Sequence, residues 1–118
     1  MQDKTWREKE ILWIGSAYDD LVGFPEEPRR DAGFQLSKVQ VGLEPDDWKP
    51  FDDVGAGTRE IRIRDADGIF RVMYVAKFEE AVYVLHCFQK KTQATSKRDK
   101  DIAAERYRAV VNTRRSKP

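Results

Sequence analysis

The sequence predicts an α+β domain in which an antiparallel meander sheet packs against a helical hairpin, with elements in the order β-α-α-β-β-β-α. Three observations predict it. Residues 59–88 hold three strand-like runs joined by connections of hairpin length. Residues 27–41 carry apolar side chains at helical spacing, and a shorter helical segment stands directly before them. A last helical segment near the C-terminus shows the narrow apolar stripe Ala103, Tyr107, Val110 and Val111. At 118 residues the chain is one domain, with its core over about 10–112 and residues 113–118 as a flexible tail.

Each element has its own signal. Residues 10–15, EILWIG, are a short run of β-forming side chains closed by Gly15, and give the first strand. Ser16 precedes Asp19 by three residues, the spacing of a capping box, and Gly23 with Pro25 supplies a stop, so the first helix spans about 17–22. In the second helix, Ala32, Leu36, Val39 and Leu43 define one face, ended by Gly42 and Pro45. Residues 44–58 read as a polar connector pinned back by Trp48 and Phe51. Residues 59–64 alternate charge with isoleucine, whereas 69–76 and 81–88 are nearly continuous in apolar side chains. These two are therefore central strands, with helices over at least one face. Ser96 and Asp99 repeat the capping-box spacing ahead of a helix over 99–112.

Composition excludes several classes of function. The longest apolar runs, 11–14 and 81–85, are far too short to span a bilayer, and residues 3–10 are too charged for a signal peptide, so a cytoplasmic protein without membrane contact is expected. The single cysteine, Cys87, sits inside an apolar run. It reads as a buried structural thiol, and the chain has neither an intramolecular disulfide nor a cysteine-based zinc site. Glycine-rich phosphate loops, HExxH and calcium-loop motifs are missing from the sequence, and Asp65 and Asp67 lie in a turn where solvated carboxylates are ordinary, so no nucleotide cofactor and no metal are expected. Charge is unevenly spread: residues 1–88 hold 12 Lys/Arg against 18 Asp/Glu, and residues 89–118 hold 10 against 3. The basic end suits a polyanion or an acidic partner.

Strand periodicity decides which charges meet. With Ile61 and Ile63 on one face, Glu60, Arg62 and Arg64 take the other, and Arg71 is the only charge within the next strand. A cation in a central strand is costly unless it is paired or opens to a groove. Two readings of Arg71 follow: an internal ion pair with Glu60, or a groove charge that contributes little to the core. The third strand ends in Lys90 and Lys91, which face opposite ways; ideal parity groups His86, Phe88 and Lys90, while a twist at the strand end brings Lys91 round instead. Arg62, Arg71 and one of these lysines in a shallow groove would suit a phosphodiester, because guanidinium forks and a compact ammonium stabilise the added charge of a five-coordinate phosphorus. His86 is the only histidine, which excludes a two-histidine acid/base ribonuclease and leaves it either a core histidine or a single proton-transfer group.

The run TREIRIRD, GIFRVMYVA and VYVLHCFQKKTQATSKRDKDIAAERY resembles the C-terminal half of the HigB-like, phage-derived branch of the RelE/ParE toxin superfamily, and GSAYDDLVGFPEEPRRDAGFQLSKVQVGLEPDDWKPF is similar to its helical hairpin and connector. The resemblance implies a RelE-like fold and the toxin of a type II toxin–antitoxin module. For this branch it implies a ribosome-dependent messenger-RNA endoribonuclease, cleaving by attack of the RNA's own 2′-hydroxyl without a metal. By position it implies catalytic roles for Arg71, Lys90 and Lys91, with His86 as a further candidate, and phosphate binding by Arg62 and Arg64. The implied partners are ribosome-bound mRNA and a helix-turn-helix antitoxin, held in a toxin–antitoxin hetero-oligomer. The alternative within the same superfamily is a gyrase-inhibiting toxin or an inactive homologue that only binds its antitoxin, because a fold alone does not fix the activity.

Overall fold

The computed structural model describes residues 8–91 and 94–116. Its elements are β1 (Glu10–Trp13), α1 (Ala17–Val22), α2 (Glu26–Gln40), β2 (Trp48–Pro50), β3 (Thr58–Asp65), β4 (Gly68–Val75), β5 (Ala81–Lys90) and α3 (Lys97–Ser116). The strands form one sheet in the order β1, β5, β4, β3, β2. Strands β2 to β5 are antiparallel neighbours, and β1 joins the far edge parallel to β5. The sheet is therefore mixed rather than a simple meander. A parallel neighbour needs a crossover connection, and the helical hairpin between β1 and the later strands provides it.

Three expectations are corrected. The connector over 44–58 contains a strand, β2, whose Trp48, Lys49 and Pro50 pair with Ile61, Glu60 and Arg59. Three residues ending in proline carry too little pattern to be read as a strand, and proline is tolerated there because β2 is an edge. The capping box at Ser16 does not form: its hydroxyl donates to Asp20 Oδ2 at 2.7 Å and accepts from Arg106 Nη2 at 3.1 Å. At the other box, Asp99 N–H does donate to Ser96 Oγ at 3.1 Å. Residues 113–116, expected in a tail, continue α3, where Arg114 lies 3.9 Å over the Phe78 ring and makes a forked pair with Glu80 at 2.7 and 3.1 Å. Residues 117 and 118 lie outside the described residues.

Both faces of the sheet are covered. On one, Leu21, Phe24, Ala32, Leu36 and Val39 of the hairpin region meet Ile61, Ile63, Phe70, Val72, Tyr74, Val82, Val84 and Cys87. Burial pushes the Cys87 thiol far up, away from thiolate chemistry. On the other face, Ala103 and Val110 of α3 pack on Met73, Val75, Tyr83, Leu85 and Phe88. Leu43, the last member of the expected α2 stripe, stands beyond the helix end and is exposed.

A bulge in β5 decides which end-of-strand charges face α3. Tyr74 pairs with Val84 but Met73 pairs with His86, so Leu85 is an extra residue. Upstream of it Tyr83 faces α3; downstream His86, Phe88 and Lys90 do, whereas unbroken alternation from Tyr83 would have presented Cys87, Gln89 and Lys91. The α3 side is also where the loop before β3 comes closest. A Cβ on Gly55 would overlap the Tyr107 ring, whose hydroxyl donates to Ala56 O at 2.6 Å. Gly55→Ala is expected to destabilise the fold by roughly 1–3 kcal/mol, read as a lower urea midpoint at unchanged slope.

Candidate functional site

Register sets the polar side chains of the α3 face in three cross-strand rows. Arg64, Ile69 and Lys90 form the first; Arg62, Arg71 and Phe88 the second; Lys49, Glu60, Met73 and His86 the third. The third row lies beside the start of α3, where His86 Nε2 and Asp99 Oδ1 are 2.8 Å apart. The first two rows border a groove of about 630 Å³ lined by Lys49, Arg62, Arg64, Gly68, Ile69, Arg71, Lys90 and Lys91. Six of those eight residues are cationic and none is acidic. The sheet thus concentrates positive charge where helix cover stops, an arrangement that attracts anions strongly.

The charges are held unequally. Arg62 is fixed by Asp47, with Nε to Oδ1 at 3.1 Å, and Arg64 Nε lies 3.8 Å from the other oxygen of the same carboxylate. Arg71 is 3% exposed and paired with the fully buried Glu60, Nε to Oε1 being 3.5 Å. Both sequence readings of Arg71 therefore describe part of its setting, since it is ion-paired and also lines the groove. The expectation that it contributes little to the core is corrected by its burial. Arg71 Nε and Nη1 and Glu60 Oε1 are all buried without a hydrogen-bond partner among the described residues, so Arg71 and Glu60 are held by charge across 3.5 Å and not by a hydrogen bond. Arg62 and Arg71 occupy directly opposed positions on β3 and β4, where like charges repel.

Lys90 lies on the sheet face by register, and Lys91 reaches the same groove from just beyond the strand end. Burial lowers the Lys90 amine from its ordinary value; the Arg71 guanidinium adds to this, and Glu60 opposes it. Burial also lowers the Arg71 guanidinium, with Glu60 opposing and Arg62 and Arg64 reinforcing the effect. Lys49 is the groove residue that sequence reasoning missed. It sits in the unrecognised β2, and only its alternation with Trp48 and Pro50 signals a shared facing.

His86 is not brought into the groove. It is 6% exposed, stacks on Phe88 with ring centroids 4.8 Å apart, and has its Nδ1 buried without a partner among the described residues. Because a carboxylate only accepts, Nε2 of the neutral ring carries the proton toward Asp99. Burial lowers its pKa, partly opposed by Asp99. Below the ordinary histidine value the unfolded chain binds a proton that the native ring resists, so stability is expected to fall as pH drops through that window and to be level above it. His86→Gln is expected to flatten this slope below the ordinary histidine value in urea titrations.

No helix among the described residues is long and apolar enough to cross a membrane, and no three His, Cys, Asp or Glu side chains among them are grouped to hold a metal ion. A small α+β domain with a mixed five-stranded sheet and three helices fits a small toxin domain. Residues 19–108 match the family described as Phage derived protein Gp49-like (DUF891), and the chain belongs to it. That family is of the RelE/HigB-like toxin type and is associated with toxin–antitoxin systems, which implies an antitoxin as partner. No curated protein matches the chain.

Proposed function

We propose that this protein is the toxin of a type II toxin–antitoxin module and cuts messenger RNA on the ribosome. The observation that carries the reading is the facing pair Arg62 and Arg71 beside Lys90 in an open groove. Two guanidiniums in opposed cross-strand positions are unfavourable in the free protein, and a phosphodiester bound between them relieves the repulsion. In this scheme the 2′-hydroxyl loses its proton to solvent water as its oxygen forms a bond to the adjacent phosphorus, the bond to the 5′-oxygen breaks, and a 2′,3′-cyclic phosphate remains on the upstream fragment. Arg62 and Arg71 hold the non-bridging oxygens as charge builds on them. Lys90, the groove amine with the lowered pKa, gives its proton to the leaving 5′-oxygen, and Lys91 and Arg64 hold flanking phosphates. No metal is needed for that displacement. His86 then serves to dock α3, and the ribosome supplies the orientation that a site without a base of its own lacks.

The antitoxin expected with such a groove carries a helix-turn-helix domain and an acidic segment that lies over the cations. The test is brief induction of the protein in growing cells, followed by mapping of transcript 5′ ends. Translation arrest with new ends phased to ribosomal codons is the expected result. Intact transcripts accompanied by DNA breaks would instead support the gyrase-inhibiting alternative, and continued growth with neither would leave only antitoxin binding.

A further inference from the structure

Beneath the groove, Glu60 is fully buried and has two tethers. Its Oε1 lies 3.5 Å from Arg71 Nε, and its Oε2 accepts a hydrogen bond from Thr95 Oγ1 at 3.0 Å. Thr95, itself buried, belongs to the segment that leads from β5 into α3. A buried ion pair contributes little net stability, because the cost of removing both charges from water offsets their attraction; a matched apolar pair would hold these strands as well. What the pair does supply is direction. A carboxylate beside the Nε edge of a guanidinium draws that edge toward itself by charge and leaves the terminal nitrogens to other acceptors. Arg71 Nη1 is buried without a hydrogen-bond partner among the described residues, as are Nε and the Glu60 Oε1 facing it, so the pair orients by charge and leaves Nη1 open to another acceptor.

We infer that Glu60 is the positioning residue of the groove: it orients Arg71 from below, ties that orientation through Thr95 to the lead-in of α3, and offsets the repulsion that its neighbouring cations exert on Lys90. This deepens the ribonuclease reading and rests on it. Glu60 does not touch RNA, since its carboxylate is enclosed, and it acts through Arg71 and Lys90. Glu60 shares its row with Lys49 on β2 and His86 on β5, Arg62 on β3 and Arg71 on β4 stand in the next row and Lys90 on β5 in the one beyond, and Thr95 is its neutral donor. Asp47 is the other carboxylate near these cations, and it is engaged at the outer edge by Arg62 and Arg64.

The test compares the full-length wild type with Glu60→Gln and Thr95→Val. Cleavage of a defined mRNA on programmed ribosomes is followed from pH 6 to 10, and the Lys90 side chain is titrated by carbon-13 NMR in the absence of RNA. For Glu60→Gln the expected result is a cleavage rate lower by roughly ten-fold or more with half-saturation within about three-fold. Its alkaline limb and the Lys90 titration should both move to lower pH. Thr95→Val keeps the charge pair, so it should lower the rate less and leave the Lys90 titration in place. A folded Glu60→Gln protein with wild-type rate and wild-type Lys90 titration overturns the inference. If Glu60→Gln fails to fold by circular dichroism, Thr95→Val decides, since a wild-type rate there removes the positioning role. Wild-type protein that leaves mRNA whole sinks the ribonuclease reading, while the NMR titration still reports whether Glu60 governs Lys90.

Discussion

Arg71→Ala is expected to abolish mRNA cleavage and, at the same time, to destabilise the fold by roughly 3–5 kcal/mol. The two effects have different origins. Under the proposed mechanism, removing the guanidinium deletes the charge that holds the scissile phosphate, a loss of about 10²–10³-fold in rate for one preorganised donor. It also strands Glu60, which is fully enclosed and keeps only its Thr95 hydrogen bond. A protein inactive merely because it is unfolded would look the same in a growth assay. The double substitution Arg71→Met with Glu60→Gln separates the effects, because it removes both charges and keeps an amide that can accept from Thr95. Most of the lost stability should return in urea denaturation, and cleavage should not. Recovery of cleavage alongside stability would mean that Arg71 serves the core alone, and the assignment of the groove as an RNA site would fall with it.

How much of this was legible in the sequence depends on the strength of each local signal. α1 was readable to its ends, and α2 to within a residue at each, because apolar spacing and the Gly23 and Gly42 stops agree there. β4 and β5 were readable because short continuous apolar runs, rich in β-branched and aromatic side chains and bounded by hairpin-length connections, suit strands buried on both faces. Parallel pairing of β1 with β5 was not, since four residues say nothing about direction or neighbour. β2 was hidden for a similar reason, and Lys49 with it.

At the groove, alternation in β3 and the lone charge in β4 correctly placed Arg62, Arg64 and Arg71 on one face. The lysines were harder. Their facing depends on the Leu85 bulge, a one-residue irregularity inside an unbroken apolar run that no periodicity reveals. His86 shows the converse problem. Sequence placed it on the right face, yet its partner Asp99 comes from the first turn of α3, and that long-range contact is what takes it out of the groove. Charge and periodicity thus locate a surface, but tertiary pairing decides which of its residues are open to a ligand.

The bulge makes a second large effect readable as an inequality between neighbours. Lys90→Ala is expected to lower the single-turnover cleavage rate by about 10²–10⁴-fold, the range of a lost general acid, whereas Lys91→Ala should chiefly weaken binding and leave the pH dependence as it is. The physical basis is the difference in setting: Lys90 stands in the row beside Arg71, with an amine lowered by burial and by that guanidinium, while Lys91 is exposed at the rim. For a donor the sign is fixed. The reactive form is protonated, so the wild-type rate should fall as pH rises through the depressed Lys90 pKa, at a pH below the ordinary lysine value. Lys90→Arg keeps the charge but holds its proton too tightly to release it, so it should bind ribosomes normally, cut slowly and show no such limb. Equal losses for Lys90→Ala and Lys91→Ala, or a Lys90→Arg protein as fast as wild type, would leave the amine as a phosphate contact and move the proton donor elsewhere, to the ribosome or to water.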